Sequence, residues 1–317
     1  MSTLSQYQTS LCIAASLLAV VCGWSSSSVA KERYNVWAKE KIRVHRDRVN
    51  QFPNNAELRV VLGTAYYEDG NLREAEVHLK RAIEIKSDYP EAHCNLGIVY
   101  QAWAHRSEAE RHYREALRQD STLIEAMAGL GTLLCASNRH AQGIQHLEGV
   151  LRLDARRDDA RFNLGVAYHK VGDHIRAIEH LGDLLKRRQD YPGARHGLAQ
   201  AHLARGLMYL QAELLQPALD QFQFSLRQVS TANAHYARGL AFLQLEDLEH
   251  AETEFASAVE MQNDHVPALH NLAVVYEETG RLKEAEDYYL RVEELTPHLS
   301  TIDAARNAEY DEKVLLK

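Results

Sequence analysis

Proline and glycine are scarce in this chain, at six and sixteen of 317 residues, and tryptophan and cysteine number only three and four. So few helix breakers exclude a collagen-like or proline-rich disordered chain and leave most of the length free to be helical. Four cysteines at positions 12, 22, 94 and 135 are too few and too dispersed for a disulfide framework. Cys94 and Cys135 fall on separate helices offset along their axes, so free thiols are expected. Catalytic signatures are missing too. There is no CxxC, no HExxH, no glycine-rich phosphate loop and no G-x-S-x-G, and no two of the seventeen histidines stand four residues apart. These gaps argue against an enzyme or a metal site, and no cofactor is expected.

What is present is 45% hydrophobic and 25% charged residues, the balance of a folded chain, with a formal charge of −8 that is unevenly spread. Residues 31–55 carry seven Lys/Arg against three acids, whereas residues 246–312 carry eighteen acids against four bases. A clustered basic surface of the kind nucleic acid requires is absent, so no nucleic-acid partner is expected.

A fixed period organises the rest. Gly63, Gly97, Gly131 and Gly165 are spaced by 34 residues, and the series runs on through Gly206, Gly239 and Ala273 at gaps of 41, 33 and 34. Ala75, Ala109, Gly143, Ala177, Ala218, Ala251 and Ala285 keep the same gaps, as do Leu79, Tyr113, Leu147, Leu181, Phe222, Phe255 and Tyr289. Within a unit the apolar stripes specify two helices separated by a turn such as Asp69-Gly70-Asn71, with Asn71 and Glu74 at capping-box spacing. One such pair cannot bury its own apolar face, so an all-α solenoid of about seven stacked helix pairs is expected.

The Leu-Gly pairs at 62–63, 96–97, 130–131 and 164–165, an aromatic three residues after most of the glycines, and the Ala-x-x-x-aromatic/Leu spacing resemble the tetratricopeptide repeat. The resemblance implies a right-handed superhelix whose concave groove, lined by the first helices, binds partner proteins without catalysis. It places Asn95, Ile98, Phe162, Asn163, Val166, Leu207, Tyr236, Leu240, Asn271 and Val274 in that groove. Lys170 is the one Lys or Arg at the groove positions, so neutral or apolar partner segments are expected in preference to acidic C-termini. Arg205 and Arg238 stand where the family usually has leucine. The 41-residue gap matches an insertion of seven residues at "PGARHGL", which predicts a first helix from about Ala194 to Gln211. Either the insertion is merely tolerated or it builds a docking ridge at Arg195, His196 and Leu198. The column His78, His112, His146 and His180 is read as packing, because equivalent helices are too far apart for one ion.

The divisions expected are 1–30, 31–55, 56–299 and 300–317: an apolar leader, a basic half-repeat, seven repeats and a capping helix. Self-association through the last of these is the alternative to capping. The leader has two readings. Residues 10–30 are uncharged and long enough to span a bilayer of about 30 Å, with a basic flank that favours the cytoplasmic side. Alternatively, Ser28-Val29-Ala30 is a signal cleavage site and the chain is exported or periplasmic. The anchored reading is preferred, giving a membrane-tethered scaffold, with a permanent structural subunit of a membrane complex as the other form.

Overall fold

The computed structural model describes residues 28–297, with side chains from residue 37. Among the described residues there are fifteen helices and no strand. The chain divides into two compact units, residues 1–167 and 168–317, with the division inside the eighth helix. The first unit contains α1 (Ser28–Gln51), α2 (Ala56–Glu68), α3 (Leu72–Ile85), α4 (Pro90–Ala102), α5 (Arg106–Gln119), α6 (Ile124–Ala136), α7 (His140–Leu153) and most of α8 (Asp158–Lys170). The second contains the end of α8, then α9 (His174–Arg187), α10 (Ala194–Gln211), α11 (Leu215–Gln228), α12 (Ala232–Gln244), α13 (Leu248–Met261), α14 (Val266–Glu278) and α15 (Leu282–Leu295).

Local chemistry sets the helix ends. The side chains of Asn55, Asn71, Asp173, Thr231 and Asp247 each accept a hydrogen bond from the backbone N–H three residues on, the usual remedy for unpaired donors at a helix start. Every turn joining a first helix to its second places one residue in the left-handed region: Gly70, Ala104, Asn138, Gly172, Glu213, Glu246 and Gly280. In the first unit, α2 packs with α3, α4 with α5 and α6 with α7; in the second, α10 packs with α11, α12 with α13 and α14 with α15.

The small and large columns meet inside each pair. A Cβ on Gly97 would lie 2.7 Å from the Tyr113 ring, one on Gly131 2.9 Å from Leu147, and one on Gly239 2.6 Å from Phe255. Leu-Gly is therefore a packing pair. The leucine fills the core, and the glycine lets the large residue of the second helix seat against its backbone. Tyr113, Leu147, Phe222 and Phe255 are all buried in this way.

Helix α1 packs on α2 through buried Ala38, Ile42 and Val49, tied by Lys41 to Glu68 and by Arg46 donating to the Tyr66 hydroxyl. This corrects the expected membrane location. Of the proposed span over residues 10–30, residues 28–30 open α1, which runs at once into Lys31, Glu32 and Arg33. Among the described residues, no helix is long and apolar enough to cross a membrane. The locations read from that segment, membrane-associated or exported after cleavage near Ala30, fall with it. Residues 1–27, which carried the rest of that reading, and the terminal segment 300–317 lie outside the described residues.

Candidate protein-binding site

In the first unit the expected groove residues Asn95 and Ile98 lie on α4, and Phe162, Asn163 and Val166 on α8. Ile98, Phe162 and Val166 are half-buried there, apolar groups left partly in contact with water. Asn95 is buried, and its amide donates to Thr64 Oγ1 at 3.4 Å; Asn163 donates to Thr132 Oγ1 at 3.0 Å. Both amides thus tie a first helix to the first helix of the preceding repeat. The asparagine column is interrupted at Gly129 for a steric reason, since a Cβ there would lie 2.6 Å from the Tyr113 ring, whose hydroxyl donates to Gln101.

In the second unit, Leu240, Asn271 and Val274 are half-buried, while Leu207 and Tyr236 lie wholly in the core. Asn271 donates to the Tyr236 hydroxyl at 3.1 Å, and burial raises the Tyr236 pKa. The arginines at leucine positions have polar partners of their own. Arg205 donates to the Tyr209 hydroxyl, and Arg238 shares the buried carboxylate of Glu254 with His235. Burial alone would raise Glu254, but hydrogen bonds from His235 and Arg238 outweigh it and hold the carboxyl below its usual range.

Helix α10 runs from Ala194 to Gln211, as the insertion predicts, and Gly193 before it takes a left-handed φ of 76°. Its extra turns bury Ala194 and Leu198, and Gly197 faces Leu181 of α9. Arg195 and His196 are exposed on the opposite side, with Arg195 donating to the Gln189 carbonyl. The extension is accordingly seated on its neighbour, with Leu198 in the core.

The histidine column has a structural role that spacing alone did not reveal. His78, His112 and His180 stack on Tyr66, Tyr100 and Tyr168 with ring centroids 5.4, 5.5 and 5.6 Å apart. The signal lay in the sequence as two columns twelve residues apart. His93 Nδ1 also lies 3.1 Å from His112 Nδ1, and Arg111 is 3.2 Å from His112 Nε2. A guanidinium can only donate, so His112 accepts at Nε2, keeps its proton on Nδ1 and donates to His93. Burial first, and Arg111 second, push His112 down to about 4. An open depression of about 850 Å³ on α5 is lined by these two histidines with Arg111, Arg114, Glu115 and Arg118. Among the described residues, no group of three or more His, Cys, Asp or Glu side chains is placed to hold a metal ion.

Comparison with known families and structures follows the same lines. A profile described as TPR repeat matches residues 53–102, one described as Tetratricopeptide repeat matches 156–230, and another of that description matches 128–181, 209–265 and 236–300. No curated protein matches the chain. Among solved structures, the C-terminal part of a TPR repeat-containing protein from Cytophaga hutchinsonii aligns with a TM-score of 0.56 at 15% identity, covering 76% of this chain and 98% of that one. Naa15/Naa10 bound to HypK-THB aligns with a TM-score of 0.52 at 16% identity, covering 89% of this chain and 42% of that one. YrrB, described as a TPR protein with an unusual peptide-binding site, gives 0.49 at 23% identity over 61% of this chain and 96% of its own. At these identities the likeness is one of fold.

Proposed function

The chain belongs to the tetratricopeptide repeat family, and we propose that it is a non-catalytic scaffold that holds segments of partner proteins against its first-helix faces. Members of this family generally act as protein-interaction scaffolds. The observation that supports this use here is the half-buried state of Ile98, Phe162 and Val166 on the first-helix face of the first unit. Three large apolar side chains kept partly wet on one face are a standing source of binding free energy, released when a partner covers them. Leu240 and Val274 offer the same on the second unit.

Polar recognition is secondary in this reading. The Asn95, Asn163 and Asn271 amides are engaged with Thr64, Thr132 and Tyr236, so their donors serve the stack before any partner. The preferred segment is therefore neutral or apolar, anchored by one or two large side chains. Screening a displayed peptide library against the full chain tests this directly. Enrichment of peptides with aliphatic or aromatic anchors supports it, and enrichment of acidic C-termini contradicts it.

A further inference from the structure

Three side chains of the second unit stand in a hydrogen-bonded line that the scaffold reading does not use. Ser230 Oγ lies 3.0 Å from His235 Nε2, and His235 Nδ1 lies 2.8 Å from Glu254 Oε2. The serine, between α11 and α12, is exposed; the histidine, on α12, is half-buried; the carboxylate, on α13, is buried.

The partners decide where the protons sit. Burial would raise the Glu254 carboxyl, but hydrogen bonds from His235 and Arg238 outweigh it, so the group is ionised and can only accept. Arg238 takes Oε1 and leaves Oε2 to the imidazole. A neutral His235 therefore carries its proton on Nδ1 and presents the Nε2 lone pair to the Ser230 hydroxyl. Met261 Sδ, 3.7 Å from the same hydroxyl, is a much weaker acceptor.

The same positions in other repeats show what is particular to this one. His93 meets His112, and His202 meets Gln221, each pair nineteen residues apart as His235 and Glu254 are. Both of those partners are neutral, His112 because its pKa is pushed down to about 4 by burial. Five residues before His93 and His202 stand Asp88 and Gly197, where His235 has Ser230. A packing position thus acquires a carboxylate behind the imidazole and a hydroxyl in front of it.

We propose that Ser230 is an activated nucleophile that accepts short, uncharged acyl groups from activated esters or thioesters, with His235 as general base and Glu254 as the positioning residue that fixes the imidazole. Ser230 Oγ attacks the acyl carbon and its proton passes to His235 Nε2. The bond to the leaving alcohol or thiol then breaks, and His235 returns the proton to that group. The products are O-acylated Ser230 and the free alcohol or thiol. Because α12 begins two residues after Ser230, the positive end of its dipole is close in the chain to the charge that develops on the acyl oxygen. Exposure of Ser230, with half-exposed Met261 next to it, suits a short acyl group on an open surface. A single acylation needs no turnover. The proposal uses none of the residues that anchor partner segments, so its failure leaves the scaffold reading standing.

The probe is p-nitrophenyl acetate on the full chain, read as the nitrophenolate release that depends on Ser230, with quenching in acid to trap the acetyl group for mapping by mass spectrometry. Release from the folded chain is expected to be at least about tenfold faster than from the urea-unfolded chain, with acetyl on Ser230. Ser230→Ala, at an exposed position, should remove this part of the release and leave the fold intact. His235→Gln should slow it at least about tenfold, because a carboxamide can still bond Glu254 but takes up no proton. Glu254→Gln should slow it as well, and Glu254→Asp should recover part of the rate, with circular dichroism unchanged throughout. Release that is the same with and without Ser230 overturns the proposal. So does a Ser230-dependent rate that matches the unfolded chain, or one left unchanged in a folded His235→Gln protein.

Discussion

Tyr113 shows how one side chain dictates the identity of residues far from it in sequence. Its ring fills the space that a Cβ on Gly97 or on Gly129 would occupy, so both positions must be glycine. Gly97→Ala gains about 1 kcal/mol of helix propensity but drives a methyl group into a wholly buried ring, and overpacking of that kind costs about 1–3 kcal/mol. A net loss of stability in urea titration is expected, and Gly129→Asn, which completes the asparagine column on paper, should lose more. Gly143→Ala is expected to behave likewise, because its Cβ would meet Cys135 Sγ at 2.4 Å and the Gly131 carbonyl at 2.8 Å.

Protonation acts at the same scale. His78, His93, His112, His146, His202 and His270 are all pushed below their ordinary value, chiefly by burial. The unfolded chain takes up these protons near pH 6.5, whereas folded His112 does so only near pH 4. Stability is therefore complete above pH 6.5 and is lost as pH falls from there toward about 4. His112 alone accounts for a loss on the order of 2 kcal/mol between pH 7 and pH 5. Replacing it by Gln should shrink the pH 7 to pH 5 difference in unfolding free energy by about that amount. An unchanged difference would mean that His112 is protonated in the fold.

At the scale of the element, α10 shows what sequence can and cannot specify. An insertion close to two helical turns keeps the apolar stripe in phase, so its start at Ala194 and end at Gln211 were legible from spacing alone. Which side of the added turns meets the protein was not, because spacing alone fits Arg195, His196 and Leu198 equally to a docking ridge or to a merely tolerated insertion. Leu198 is 6% exposed and behaves as core. Leu198→Ala should cost about 2–4 kcal/mol in thermal or urea unfolding, whereas Arg195→Ala with His196→Ala should stay within about 0.5 kcal/mol per site. The groove list divides for the same reason. Position in the repeat predicts a face, but the exposure of each residue on it is set by tertiary packing. Leu207 and Tyr236 lie in the core of the second unit, Tyr236 against the rings of Phe255 and His265, whereas Leu240 and Val274 are half-buried.

For the whole molecule, periodicity carried nearly all of the fold. Three columns in step over seven units require stacked helix pairs, since no single pair buries its own stripe. The membrane reading failed because it took an uncharged run as a separate element, whereas its last three residues begin a charged helix packed on the first repeat. The stacked Tyr–His pairs are legible only from the tyrosine and histidine columns together, twelve residues apart.

The central claim is that the half-buried apolar residues of the first-helix faces bind partner segments. The most direct measurement is the affinity of library-selected peptides for the full chain and for a variant carrying Ile98→Ala, Phe162→Ala and Val166→Ala. The account predicts affinity at least about tenfold weaker for the variant, with a folded circular dichroism spectrum retained and binding by a control Arg195→Ala protein unchanged. Equal affinity of the parent chain and a folded triple variant would contradict it.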